Sequence, residues 1–188
     1  MRNLVAYRSR YGHARTYAEW IAEDLRADLV DLADDGSPNL TDVDVAVLVT
    51  PMYAGGLLGA KAFAAQAEAA SDVTFVGVTV GASDPANPKN QKVYRGAIEK
   101  AFSDPLRARM RWFHLRGGID YPRLSLLHRI ALWAVSRKAK FDARKGDAEA
   151  QELVDTYGGV VDFRDRATIA PVVEHVRSMA TDAYRRDQ

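Results

Sequence analysis

The sequence contains no cysteine among its 188 residues. Disulfide bonds, thiolate nucleophiles, iron–sulfur clusters and cysteine-based zinc sites are therefore excluded. The histidines do not replace them as metal ligands, because His13, His114, His128 and His175 are dispersed without ligand spacing. The sequence thus predicts no metal site, and the lack of cysteine fits a reducing compartment.

Long apolar runs are missing as well. No run approaches the ~20 residues of a membrane-spanning helix. The short apolar stretch from Met1 to Tyr7 meets Arg8 at once and is not followed by a small-residue cleavage site, so no signal peptide is predicted. We expect a cytoplasmic protein.

Common nucleotide-binding motifs are also absent. The chain has neither the Gly-x4-Gly-Lys-Ser/Thr loop of many nucleotide triphosphatases nor the Gly-x-Gly-x-x-Gly turn of dinucleotide-binding folds. Nucleic acid is not an expected partner, because no helix-turn-helix or zinc signature is visible and the net charge is only +1.

Charge is unevenly distributed along the chain. Residues 1–72 hold six Lys or Arg against eleven Asp or Glu, whereas residues 122–145 hold seven against one. Such asymmetry indicates either a surface for an anionic partner or a solvated basic face.

Short apolar runs alternate with segments of helical periodicity. For example, one face of the first helix is formed by Ala14, Tyr17, Ala18, Ile21, Ala22 and Leu25. Strands are predicted over 4–7, 29–32, 43–50, 73–80 and 111–115. Helices are predicted over 14–25, 60–67, 93–101, 123–140, 147–157 and 169–179. The pattern predicts one α/β domain over residues 1–188, with a doubly wound parallel sheet of five strands, helices on both faces and an extra helical segment after the fifth strand.

Ligands of such sheets bind at the carboxyl ends of the strands, where the strand order reverses. The loops to consider are therefore 8–14, 50–56 and 81–90. The first contains Ser9, Arg10, Tyr11, Gly12, His13 and Ala14. It opens a helix, so its backbone N–H groups can bind phosphate, with help from the Ser9 hydroxyl and the flexible backbone of Gly12. His13 can donate to the phosphate or face solvent, and we favour solvent.

The second loop contains Pro51, Met52, Tyr53, Ala54 and Gly55. Tyr53 can lie against a planar aromatic ligand, and the small residues after it let the main chain approach that ligand's edge. The third loop, with Gly81, Ala82, Ser83 and Asp84, can close over the other side of the ligand. Each loop alone is also consistent with an ordinary turn.

Ser9-Arg10-Tyr11-Gly12-His13-Ala14 resembles the flavodoxin phosphate loop, and Thr50-Pro51-Met52-Tyr53-Ala54-Gly55 resembles the loop beside the flavin ring in flavodoxins. The resemblance implies a flavodoxin-like fold and non-covalently bound FMN, held by the residues of the three loops. The chain departs from the family pattern at Tyr11 and Ala14, which stand where short flavodoxins commonly have hydroxyl groups.

A second resemblance extends over most of the chain. Gly117-Gly118-Ile119-Asp120-Tyr121-Pro122-Arg123, the following helix and the region 160–176 are similar to the flavodoxin-like, quinone-dependent protoporphyrinogen dehydrogenases of haem biosynthesis. This resemblance implies an FMN-dependent oxidoreductase that passes electrons from an organic substrate to a quinone. The propionates of a porphyrin substrate would need cations, for which Arg116, Arg123 and Arg129 are candidates.

Residues 122–145 form the segment that a short flavodoxin lacks. Its apolar side is formed by Leu126, Leu127, Ile130, Trp133 and Ala134, with Arg137 on the same face. This segment, including Trp133, either packs its apolar face on the domain or lies on an anionic membrane, which would make the protein peripheral at the inner membrane face.

Positive charge near the cofactor also has a predicted redox effect. Arg8, Arg10 and Arg15 lie by sequence at the binding edge, so we expect a less negative midpoint potential than that of a low-potential carrier. Two alternatives to the enzyme remain. One is an electron carrier that docks a redox partner without substrate turnover, and the other is an FMN-free, membrane-associated scaffold.

Overall fold

The computed structural model describes residues 1–33 and 36–186, without the side chains of Leu127 and residues 180–186. The sequence Asp34-Asp35-Gly36-Ser37-Pro38 predicts a turn, which lies partly outside the described residues, as does the place of Leu127 on its helix face.

A central parallel sheet organises the chain. The strands that build it are β1 (Asn3–Tyr7), β2 (Asp28–Asp31), β3 (Val45–Tyr53), β4 (Gly56–Leu57), β5 (Thr74–Gly81) and β6 (Met110–Arg116). Five of them are parallel in the order β2-β1-β3-β5-β6, and the short β4 pairs antiparallel with the end of β3. The predicted α/β, doubly wound five-stranded parallel sheet is confirmed, and its strand order reverses between β1 and β3.

Helices cover both faces of this sheet and bury its strands on both sides. They are α1 (His13–Leu25), α2 (Ala60–Ala69), α3 (Pro88–Ala101), α4 (Asp104–Ala108), α5 (Leu126–Ala143), α6 (Ala148–Thr156) and α7 (Ala170–Arg186). Side chains alternate between two cores. Val5 of β1 points to the core under α1 and α7, whereas Leu4 points to the core under α2, α3 and α4.

Helix α3 begins at Pro88, within the predicted loop 81–90, and α4 was not predicted. Two further differences lie near the carboxyl ends of the strands. β3 runs to Tyr53 rather than ending at Thr50, because Pro51 still lies opposite Val80 and Met52 pairs with Leu57. A small antiparallel pair, β7 (Gly118–Asp120) with β8 (Val160–Asp162), was not predicted. Three-residue strands are too short to leave a periodic signal.

The extra segment forms a hairpin of α5 and α6, preceded by a short 3-10 turn over Tyr121–Arg123. Ser125 caps α5 by accepting a hydrogen bond from the backbone N–H of His128, and Asp147 caps α6 in the same way through Ala150. Of the helices described, none has the length and apolar character to span a bilayer.

Candidate functional site

A cavity of about 410 Å³ opens at the carboxyl ends of the strands, beside the point where the strand order reverses. All three loops identified in the sequence border it. Of the predicted site residues, those that line it are Ser9, Arg10, Tyr11, His13, Ala14, Pro51, Met52, Tyr53, Ala54, Gly55, Gly81 and Ala82. Their role as ligands remains a prediction, but the fold does bring them together.

The first loop ends in an uncapped helix N-terminus. Gly12 takes a left-handed conformation with φ of 93°, which a residue with a side chain rarely adopts, and α1 begins at the next residue. The backbone N–H of Gly12 donates to Oγ of Ser9 (3.1 Å), so the Ser9 hydroxyl holds the turn. No side chain caps the first N–H groups of the helix. Free donors and the positive end of the helix dipole therefore face the region in which an anion can bind.

The arginines near this loop are not equivalent. Arg8 lies 3.6 Å from Asp31, and Arg15 donates to Glu19 over 2.8 Å. Arg10 is exposed, borders the cavity and forms no ion pair with a described residue. Arg10 is therefore the arginine of this group whose charge is available to a ligand.

His13 does not face solvent as expected, since its side chain is only 18% exposed. It packs between Gly117, Gly118 and the β8 strand, with Nδ1 3.9 Å from Oδ1 of Asp162. This buried Nδ1 makes no hydrogen bond to a described residue. Burial, together with the nearby Arg164, lowers the pKa of His13, so the ring is neutral near pH 7. The expectation was wrong because β7 and β8, which enclose the ring, were not predicted.

The second loop meets the extra helix in a cluster of three rings. The imidazole of His128 lies 4.7 Å from the Tyr53 ring and 6.3 Å from the Tyr11 ring, in edge-on geometry. Its Nδ1 is 3.2 Å from the Tyr11 hydroxyl and 2.7 Å from Oγ of Ser125. Tyr11, which stands where short flavodoxins commonly have serine or threonine, thus connects the phosphate loop to α5.

Only the first part of the third loop reaches the cavity. Gly81 and Ala82 reach the cavity, but Ser83 and Asp84 do not. The backbone N–H of Asp84 donates to Glu149 of α6 (3.1 Å), while the Asp84 carboxylate accepts from the backbone N–H of Ala86 (2.9 Å). The Asp84 carboxylate therefore stabilises its own turn, and the Asp84 backbone N–H links this turn to α6.

Helix α5 forms the roof of the cavity, which sequence reasoning missed. The residues it and its preceding turn contribute are Leu124, His128, Ala131, Leu132 and Val135. The available signal was the second apolar face of α5, because leucine and valine lie on both sides of the helix. Gly117, Gly118 and Ile119 line the floor and belong to the segment noted only for its resemblance.

A family comparison agrees with this geometry. The flavodoxin domain profile matches residues 4–145, which is most of the chain. The chain belongs to the flavodoxin domain family. A comparison with curated proteins gave no significant match.

Several solved structures resemble this flavodoxin domain. A flavoprotein in complex with FMN from Lactobacillus acidophilus NCFM is 12% identical, with a TM-score of 0.44 over 61% of this chain and 91% of that one. The NAD(P)H:quinone oxidoreductase from Methanothermobacter marburgensis is 12% identical, with a TM-score of 0.44 over 62% and 83%. Oxidised flavodoxin 2 from Bacillus cereus is 16% identical, with a TM-score of 0.41 over 66% and 88%. These similarities are too weak to bear on substrate or reaction.

FMN is the cofactor of a flavodoxin domain, and the cavity contains the groups that it requires. The uncapped N-terminus of α1 and the exposed Arg10 suit its phosphate. The Tyr53 ring suits the isoalloxazine, and the small residues Ala54 and Gly55 leave room for its edge. The residues present therefore fit the cofactor.

A second chamber of about 360 Å³ adjoins the cavity between α3, α5 and α6. Four residues line both spaces: Ala82, Ile119, Leu132 and Val135. Arg116 borders the chamber, where it donates to the carbonyl of Ala82 (3.0 Å), pairs with Glu152 and lies 3.6 Å from the centre of the Phe163 ring.

The remaining substrate or membrane candidates lie elsewhere. Arg123 and Arg129 are exposed and do not line either space, so the three arginines do not converge on one site. Trp133 is 52% exposed and points away from the cavity.

Proposed function

We propose that this flavodoxin domain is an FMN-dependent oxidoreductase that transfers electrons from an organic substrate to a quinone. This proposal rests on the second chamber beside the flavin cavity. An electron carrier exchanges electrons with proteins and needs an exposed flavin edge, whereas an enzyme needs space for a small molecule next to the flavin. Here α5 covers the cavity, and the chamber supplies that space.

The walls of the chamber indicate the chemistry of the substrate. Leu132, Val135, Leu153, Val161 and Phe163 form an apolar wall. Charged groups border it, but they are mostly paired, as are Arg116 with Glu152 and Lys89 with Asp147. A largely apolar molecule with polar groups at its edge fits such a lining.

Within this class we propose protoporphyrinogen as the substrate to test first, on the sequence resemblance to protoporphyrinogen dehydrogenases. When bound, FMN would accept hydrogen from the substrate and pass the electrons to the quinone, which becomes a quinol. Of the three candidate arginines, Arg116 borders the chamber, where it pairs with Glu152, and Lys89 and Lys138 line the chamber as well. A propionate would displace Glu152 there, or would extend outward to Arg123 or Arg129.

His128 is the residue of the roof best placed to handle a proton. Its Nδ1 lies within hydrogen-bonding distance of both Tyr11 and Ser125, and its ring borders the cavity. An imidazole held in this way can take a proton from a substrate and pass it on.

The test is an anaerobic assay in which FMN-loaded protein converts protoporphyrinogen to fluorescent porphyrin only when a quinone is added. Leu153→Trp fills the chamber from α6, and Leu153 does not line the flavin cavity. We expect this variant to keep FMN and to lose turnover, because the substrate no longer fits. Gln151→Trp is the matched control, since Gln151 is exposed on the same helix.

The carrier remains a second candidate because α5 presents exposed basic side chains that suit an acidic redox partner. It predicts rapid reduction of the flavin by a reductase and no turnover of small substrates. Equal turnover by the Leu153→Trp variant and the unmodified protein would exclude the chamber as the substrate site. Absence of any turnover, with reduction by a reductase intact, would favour the carrier.

A further inference from the structure

The outer face of α5 carries an apolar stripe that the described chain leaves uncovered. We define the outer stripe as Leu126, Ile130, Trp133 and Phe141, each more than half exposed. Their spacing of four, three and eight residues places them along one line of the helix, over about 22 Å. Exposed large apolar side chains normally occur singly, so a line of four indicates a contact surface.

Basic residues lie within this stripe and on both sides of it. We define the basic border as Arg129, Arg137, Lys138, Lys140, Arg144 and Lys145, all of which are exposed. None of these forms an ion pair with a described residue. The guanidinium of Arg137 lies 5.3 Å from the Trp133 ring, and Nζ of Lys145 lies 4.1 Å from the Phe141 ring. The cations thus lie against the apolar rings, and their charge is not neutralised.

The opposite face of α5 explains why the outer stripe is free. Ser136 and Ala139 are buried, and His128, Leu132 and Val135 line the flavin cavity. The helix is therefore held to the domain by its inner face. The segment's one acidic residue, Asp142, lines the second chamber, and so does Lys138, which lies at the edge of the outer face.

We infer that α5 docks on the surface of an anionic lipid bilayer, with the outer stripe in the interface and the basic border among the headgroups. Leucine, isoleucine, tryptophan and phenylalanine bury into the boundary between headgroups and acyl chains. Lysine and arginine extend their charged ends to the headgroups while their stems cover apolar surface. Each cation near an anionic leaflet adds to the affinity, so six of them make binding sensitive to salt.

A second copy of the chain suits this face less well. A two-fold contact sets the same patch of each copy against the other. Such a contact would bring two basic borders together with no acidic residue on either outer face to pair with them. An anionic bilayer complements both the apolar stripe and its charge.

Docking would also orient the flavin cavity. Because the inner face of α5 roofs this cavity and the outer face would lie on the lipid, the cavity and the second chamber would be one helix diameter, about 10 Å, from the bilayer. Apolar reactants dissolved in the lipid would then reach the site over a short path. The docking itself rests on the surface of α5 and does not depend on the proposed oxidoreductase activity.

The test is co-sedimentation of the full chain with vesicles of phosphatidylcholine containing phosphatidylglycerol, and with vesicles of phosphatidylcholine alone. We expect binding to the anionic vesicles, with affinity that falls steeply as salt is raised. Charge reversal by Lys138→Glu with Lys140→Glu should lower partitioning at least about tenfold. The matched control, Lys92→Glu with Lys100→Glu, changes two exposed lysines of α3 and should have a much smaller effect.

The apolar part is tested separately by Ile130→Ser, with Val93→Ser as its control. These residues are 55% and 56% exposed, so the substitutions remove equally accessible side chains from α5 and from α3. We expect loss of vesicle binding for Ile130→Ser alone, with unchanged circular dichroism for both variants. Failure to bind anionic vesicles, or equal binding by Ile130→Ser and Val93→Ser, would overturn the inference. So would a dimer, detected by sedimentation velocity, that Ile130→Ser dissociates.

Discussion

Gly118 occupies a position at which even one added carbon has no room. A Cβ at this residue would lie 2.2 Å from the carbonyl oxygen of Val161 and 2.9 Å from Cε1 of His13. The first of these neighbours is a backbone atom of β8, one residue before Asp162, which lies opposite Gly118 in the β7–β8 pair, so it cannot rotate away. In Gly118→Ala the two strands must separate by about 1 Å to restore ordinary contact distances.

Overpacking of this kind costs about 1–3 kcal/mol of unfolding free energy. With a denaturant dependence of about 2 kcal/mol per molar urea, the unfolding midpoint of Gly118→Ala should fall by about 0.5–1.5 M. FMN should also bind more weakly, because Gly118 and His13 both line the cavity.

Chemical denaturation of the apoprotein and fluorescence titration with FMN measure these two effects. Gly96→Ala in α3 is the matched control, since its Cβ would meet nothing within 4 Å. Alanine is the better helix former, so Gly96→Ala should raise stability by about 0.5–1 kcal/mol. An unchanged midpoint for Gly118→Ala would refute the close packing of β7 on β8.

Three further predictions concern single side chains. Tyr53→Ala should raise the Kd for FMN several-fold or more, because ring stacking contributes about 0.5–1.5 kcal/mol beyond burial. In the same fluorescence titration, Tyr53→Phe should bind FMN nearly as well as the unmodified protein. Tyr17→Phe should lower the unfolding free energy by about 1–3 kcal/mol, measured in urea, because its buried hydroxyl donates to the carbonyl of Arg116 (2.7 Å). Hydrogen bonds from Arg164 lower the pKa of Asp162 to about 2, below its usual value of 3.8. The resulting stabilisation is present above pH 3.8 and is lost as pH falls toward 2, and Asp162→Asn should lose this step in acid unfolding. The step should stay below about 1 kcal/mol, because Asp162 is 44% exposed.

Most of the fold could be predicted from local sequence patterns. The run at β1 and the helical spacing in α1 are each specified by consecutive residues, so the strand, the helix and the loop between them could be predicted. The general rules for parallel strands then placed the loops after the strands at the carboxyl edge of the sheet. This is why the first two loops of the candidate site were found with no knowledge of tertiary contacts.

The features that the sequence did not predict depend on contacts between segments that are distant along the chain. Nothing near His13 in sequence indicates that β8, about 150 residues later, encloses its ring. The apolar residues of α5 lie on both sides of the helix, so the sequence does not state which side packs on the domain. The structure turns the side with Leu132 and Val135 toward the cavity, and it exposes the side with Ile130 and Trp133.

The account depends most directly on FMN bound under α5. The decisive measurement is an absorption spectrum of the protein after incubation with FMN and removal of free ligand, for the unmodified chain and for Tyr53→Ala. We predict that the unmodified chain retains the two visible flavin bands and that Tyr53→Ala retains much less. A colourless protein after this treatment, with circular dichroism showing a folded chain, would contradict the assignment of this cavity as a flavin site.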